Sequence, residues 1–113
     1  MTRILVAFGA IAAVLAVAVT AQASTKANTL TAMDGPGFTI TMSKKTVKAG
    51  TYTITVKDKS NIHNFHLQGP GVDKKTSVGG TRTETWRLKL KKGKYTFVCD
   101  PHKSFMKGSF TVF

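Results

Sequence analysis

The chain holds one cysteine, Cys99, so no internal disulfide can brace it. It is also poor in acid: 5 Asp+Glu stand against 17 Lys+Arg, a formal net charge of +12. No two carboxylates fall at a spacing that suggests acid–base catalysis. No serine sits in a nucleophile motif, and no glycine-rich phosphate loop is present. A Cys–His nucleophilic dyad from Cys99 and His63 fits poorly with a cysteine flanked by His102 and Met106. No enzymatic activity is expected. The excess of lysine comes without an exposed aromatic-plus-basic module, which argues against a nucleic-acid partner. A sustained helical period is missing too, so a helix bundle is excluded.

The first residues have their own character. Arg3 is the only charge before Lys26, and Ile4 to Val19 is almost wholly apolar. Ala21-Gln22-Ala23 follows, with small residues in an A-x-A pattern. A positive start, an apolar run and such a site read as a secretory signal peptide over residues 1–23, cut after Ala23. The run is short for a membrane span of roughly 20 residues. The expected mature domain is residues 24–113, exported to the periplasm or outside the cell and bearing 16 Lys+Arg against 5 Asp+Glu. A chain this short buries only about 60–65% of its unfolded surface, so a bound metal would contribute to its stability. In an exported chain a lone cysteine points to intermolecular pairing, a reactive thiol or a metal ligand.

From Ser24 onward, Thr, Val, Ile, Phe and Tyr come in short runs broken by Gly, Pro, Asp and Lys. Such runs predict strands at 28–33, 38–43, 51–57, 61–68, 83–90, 94–99 and 109–113, with a further short one near 75–78. Phe38, Ile40 and Met42 alternate with Thr39, Thr41 and Ser43, so Phe38 is expected to face inward. Tyr52, Ile54 and Val56 share a face, as do Trp86, Leu88 and Leu90, and Tyr95, Phe97 and Cys99. Lys48-Ala49-Gly50-Thr51-Tyr52-Thr53 is echoed by Lys91-Lys92-Gly93-Lys94-Tyr95-Thr96. Each is a glycine turn entering a strand with tyrosine second, a corner device of Greek-key sandwiches. The expected fold is all-β: a small antiparallel Greek-key β-sandwich of seven to eight strands.

Chemistry concentrates in Cys99-Asp100-Pro101-His102-Lys103-Ser104-Phe105-Met106. A thiolate, an imidazole and a thioether follow one another on one loop. Soft donors of this kind favour copper, and two histidines, one cysteine and a weak axial methionine make an electron-transfer site. The loop supplies one histidine, so a second must come from elsewhere. Alternation along 61–68 puts His63 on the face of Phe65 and Leu67, and His66 on the opposite face beside Gln68. An imidazole facing the interior needs a hydrogen bond or a metal, so His63 completes the set His63, Cys99, His102 and Met106.

The two-part pattern resembles a known family. Cys99-Asp100-Pro101-His102 with Met106-Lys107-Gly108 looks like the C-terminal loop of the plastocyanin-, pseudoazurin- and amicyanin-type cupredoxins. His63-Asn64 looks like their upstream His-Asn pair. The resemblance covers nearly all of residues 24–113 and implies the same four ligands. It also implies that the Asn64 side chain ties the ligand segment to the cysteine loop. Three residues separate His102 from Met106, one fewer than in plastocyanin and one more than in amicyanin. The implied function is a type 1 blue copper protein holding one copper ion per chain, Cu+ or Cu2+, and carrying one electron between partners. The alternative is a copper storage or delivery module with no electron-transfer role. The chain is expected to be a monomer. Its basic surface points to an acidic redox partner or an anionic membrane surface, with no spanning segment after cleavage.

Overall fold

The computed structural model describes residues 9–18 and 28–113. The expected cut after Ala23 lies outside the described residues. Residues 9–18 are exposed and carry no regular structure, and no described helix is long and apolar enough to cross a membrane.

Nine strands follow among the described residues: β1 (Thr29–Asp34), β2 (Ile40–Met42), β3 (Thr46–Val47), β4 (Gly50–Asp58), β5 (His66–Gly69), β6 (Val72–Lys75), β7 (Arg82–Leu90), β8 (Gly93–Val98) and β9 (Lys107–Val112). They form two sheets, ordered β2-β1-β4-β7 and β3-β9-β8-β5-β6. The expected β-sandwich is what forms. Most neighbours run antiparallel, while β1 beside β4 and β3 beside β9 run parallel.

The period-2 pattern sets which residues meet between the sheets. Leu30 and Ala32 of β1, Tyr52, Ile54 and Val56 of β4, and Trp86 and Leu90 of β7 are buried. Leu67, Tyr95, Phe97, Phe110 and Val112 come from the opposite sheet. Phe65 stacks on Phe97 at 5.4 Å between ring centroids, and Tyr95 on Phe110 at 5.1 Å. Each large apolar side chain fully buried this way contributes about 1.5–3 kcal/mol. Gly108 lies across from Phe97 in the β8–β9 ladder, and a Cβ there would overlap the Phe97 ring. Glycine at this position lets the aromatic layer close beneath the Cys99 loop.

The echoed tyrosines form matching corners. The Tyr52 hydroxyl donates to the Lys48 carbonyl at 2.5 Å. The Tyr95 hydroxyl accepts from the Lys91 N–H at 2.9 Å and shares its proton between the carbonyls of Lys91 and Pro70. In both, the hydroxyl bonds a carbonyl four residues upstream, so the shared sequence gives a shared fastening.

Beyond the parallel pairs and a ninth strand, three expectations differ from the structure. The strand expected over 61–68 begins only at His66, because the backbone of Phe65 bonds Thr76 instead of β8: its N–H donates to Thr76 Oγ1 at 2.9 Å and its carbonyl accepts the Thr76 N–H at 3.0 Å. His63, Asn64 and Phe65 are therefore buried in succession, and alternation does not apply to them. The short strand expected near 75–78 lies earlier, at β6, where it can pair with β5. Phe38 precedes β2 and is 58% exposed, because its ring packs on other side chains at the end of the sandwich.

Candidate metal centre

β8 ends by delivering Cys99 into the interior, the third inward position after Tyr95 and Phe97. Pro101 then starts a single 3₁₀ turn, Asp100–His102, whose fixed φ suits the first turn of a helix. The turn brings His102 back over the strand end. The His102 N–H donates to the Cys99 carbonyl at 3.0 Å, and the Met106 N–H to the His102 carbonyl at 2.8 Å. The Cys99 N–H donates to the Met106 carbonyl at 3.0 Å, closing the loop on itself just before β9. Met106 is buried, 1% exposed.

His63 arrives from the irregular segment after β4. Its Nε2 lies 2.7 Å from the Gly37 carbonyl, which can only accept, so Nε2 carries the proton and Nδ1 presents a lone pair. Gly37 has φ +73°, a conformation that glycine adopts without strain and that aims this carbonyl at the ring. His63 Nδ1 and His102 Nδ1 stand 3.1 Å apart, and Cys99 Sγ lies 3.6 Å and 3.5 Å from them. A point equidistant from the three donors is about 2.0 Å from each, the length of a metal–nitrogen bond. A proton on His102 can serve only one neighbour at a time, whereas a cation takes all three lone pairs together. His63, Cys99 and His102 are the group of side chains, among the described residues, that could hold a metal ion.

The chain belongs to the cupredoxin-like domain family. That family's model matches residues 5–112. Among solved structures the chain is similar to reduced rusticyanin, with TM-score 0.61 and 20% identity over 80% of this chain and 81% of that one. Rusticyanin from Thiobacillus ferrooxidans gives 0.59 and 19% over 80% and 79%. Auracyanin A, a blue copper protein from Chloroflexus aurantiacus, gives 0.53 and 17% over 78% and 100%. No curated protein sequence matches.

Around the three donors this cupredoxin builds a brace. The Asn64 side chain donates to the Asp100 carboxylate at 2.7 Å and to the Thr76 carbonyl at 3.2 Å, and accepts the Asp100 N–H at 2.7 Å. It ties the His63 segment to the Cys99 loop, the role that the family resemblance implies for it. His66 does not join the donor cluster. Its Nδ1 bonds Asp100 Oδ1 at 2.7 Å and its Nε2 bonds Asp73 Oδ1 at 2.6 Å, so it is pinned between two carboxylates. Burial pulls its pKa down, but the bonds to Asp100 and Asp73 outweigh that and hold it above the ordinary histidine value. Burial likewise raises Asp100, but the bonds from His66 and Asn64 win and hold it below the usual carboxylate range.

Phe38 is the residue of the site that sequence reasoning put elsewhere. Its ring meets His63 at 5.3 Å, His102 at 5.2 Å and Phe105 at 5.7 Å between centroids. The alternation of Phe38 with Ile40 and Met42 masked it, and only the Gly-Pro-Gly turn before it hinted that the strand starts later. The loops beside His63 also rest on two buried acids paired across β1 and β4, Asp34 and Asp58. Burial, then the hydrogen bond and charge of Asp58, push Asp34 up to about 8. Near neutrality Asp34 is thus largely protonated. Lys59 N–H donates to the Asp34 carbonyl and Ser60 N–H to Asp58 Oδ1, so the pair fastens the turn that leads to His63.

Proposed function

We propose that this cupredoxin is a type 1 copper protein that carries single electrons between redox partners, and that His63, Cys99, His102 and Met106 are the residues that would hold the ion. The observation that carries this reading is the convergence of one cysteine sulfur and two Nδ1 atoms within 3.6 Å of one another in a buried pocket. A thiolate with two imidazoles is the donor set that suits both oxidation states of copper. Bound there, one copper ion supplies a one-electron couple. The chain's own part is to keep the donors still. The Gly37 carbonyl fixes the His63 ring, Asn64 locks the two ligand segments together, and the Cys99–Met106 hydrogen bond closes the loop. Donors that stay in place in both states keep reorganisation small.

His102 is half-buried, with exposed Phe38 and Phe105 packed on its ring and Ile62 exposed on the segment that leads into His63. This apolar rim is where a partner would dock, and the lysine excess would steer an acidic one. Residues 1–23 are read as a signal peptide, leaving residues 24–113 in the periplasm or outside the cell; N-terminal sequencing of the exported protein checks the cut.

Adding Cu(II) to the purified protein tests the reading. An intense blue colour and a type 1 EPR signal are expected at one copper per chain. Both are lost in Cys99→Ser and in His63→Ala and kept in His66→Ala. No colour in the wild type would overturn the assignment. Copper held only as Cu(I) and passed readily to an acceptor would make the protein a delivery module.

A further inference from the structure

The pole of the sandwich opposite the donors has a chemistry of its own. β8 runs from Gly93 at that pole to Val98 beside Cys99, and β4 runs from Gly50 to Asp58 in the same sense. At about 3.3 Å per residue the two poles lie roughly 20–30 Å apart. Three stretches meet at the far pole. The 43–49 loop reaches the chain's last residue, with the Ala49 N–H donating to the Phe113 carbonyl at 2.7 Å. Gly50 pairs with Leu90 next to the β7–β8 turn, and Gly93 pairs with Val112. These stretches carry Lys44, Lys45, Lys48, Lys91, Lys92 and Lys94, all exposed, and no acidic side chain.

Between the lysines lies a groove of about 470 Å³ of mixed character, where Val47, Tyr52 and Phe113 stand beside Thr46, Lys44 and Lys48. Phe113 is 63% exposed. Asn28 lines the same groove, so the polypeptide leading back to the apolar 4–19 stretch joins the fold at this pole.

We propose that this pole is a membrane-docking surface that recognises anionic lipid headgroups, with Phe113 entering the interfacial layer. Clustered lysines are drawn to the negative potential of anionic lipids, and an aromatic ring set among them adds apolar burial at the headgroup boundary. An acidic protein would meet the same charge. The membrane is favoured because an exposed aromatic ring stands among the lysines and because the surface faces away from the donors. Docked this way, the protein presents His102 and its aromatic rim to the aqueous side.

Vesicle co-sedimentation of the full chain tests this, using phosphatidylcholine vesicles with and without phosphatidylglycerol. Both vesicle types meet the same protein, so the excess uptake on anionic vesicles reports the basic surface. That excess is expected to be at least about tenfold and to fall with added salt. It is lost when Lys44, Lys48, Lys91 and Lys92 are all changed to Gln. It is kept when Lys57, Lys59, Lys74 and Lys103, outside this pole, are changed instead, and Phe113→Ala lowers it by a smaller factor. Equal uptake on both vesicle types by the wild type would overturn the proposal without needing any variant to fold. Equal loss in the two lysine variants would also overturn it, leaving only diffuse charge. Capture of polyglutamate through the pole without uptake on anionic vesicles would assign the surface to an acidic protein instead.

Discussion

The two poles of the sandwich are held by different means. At the tyrosine pole, the repeated fastening is local: a hydroxyl reaches a carbonyl four residues back, twice, from nearly the same hexapeptide, and Tyr95 adds one longer reach to Pro70. At the donor pole, the fastenings span long stretches of chain. His63 reaches back to Gly37, and Asn64 and His66 reach forward to Asp100. The first pole is a matter of strand entry and the second of tertiary closure. A local corner can stay intact while the long-range brace fails, and the two should be separable by substitution.

The sharpest break is expected from Asn64→Ala. It removes three hydrogen bonds and strands the Asp100 N–H, at a cost of about 3 kcal/mol. The melting temperature should fall by about 10 °C or more, and metal affinity by about 10- to 100-fold. An unchanged affinity would mean that the donors are positioned without the brace. Tyr95→Phe should cost about 2 kcal/mol, because its hydroxyl serves both the Lys91 N–H and two carbonyls. Tyr52→Phe, with one bond, should cost about 1 kcal/mol. Both should leave the metal spectrum untouched, and a shifted spectrum would show that the poles are coupled.

The comparison sharpens further with pH, because the groups whose pKa is shifted lie at the donor pole. Asp34 is raised, so the folded state holds a proton that the unfolded chain releases near 3.8. Its contribution is full below 3.8 and is lost as pH rises towards about 8. His66 is also raised, so its contribution is present below 6.5 and is lost as pH climbs through its higher folded value. Asp100 is lowered, so its contribution is present above 3.8 and is lost as pH falls further. Thermal melts should therefore show a maximum on the acid side of neutrality. Asp34→Asn should flatten the decline between pH 4 and 8, and His66→Gln the decline above 6.5. A decline unaltered in both variants would place the titrating groups elsewhere.

Most of the sandwich was legible because it obeys a local rule. Tyr52, Ile54 and Val56, or Tyr95, Phe97 and Cys99, announce an inward face by period alone, and the structure buries all six. The tyrosine echo was legible for the same reason. His63 was selected by that rule as well, yet the rule does not operate where it stands. His63, Asn64 and Phe65 are all buried because Thr76, Gly37 and Asp100 hold them from elsewhere in the chain. Period 2 cannot register a residue held by a side chain 36 positions away. The pairing of β1 with β4 in parallel, and the exposure of Phe38, were hidden for the same reason: both are decided by which segment lies alongside.

The position of β9 bears on how the domain is assembled in time. It lies between β3 and β8, and in the sheet order β3 has no other neighbour. The Cys99–Met106 loop is closed by the residue that immediately precedes β9. Until the chain is extended through Val112, one sheet lacks an interior member and the loop has nothing to fasten its far end. The contact of β3 with β9 joins segments far apart in the chain and forms slowly, whereas β8 meets β9 across the loop itself. An ion met before β9 docks would therefore find a looser set of donors than the finished protein offers.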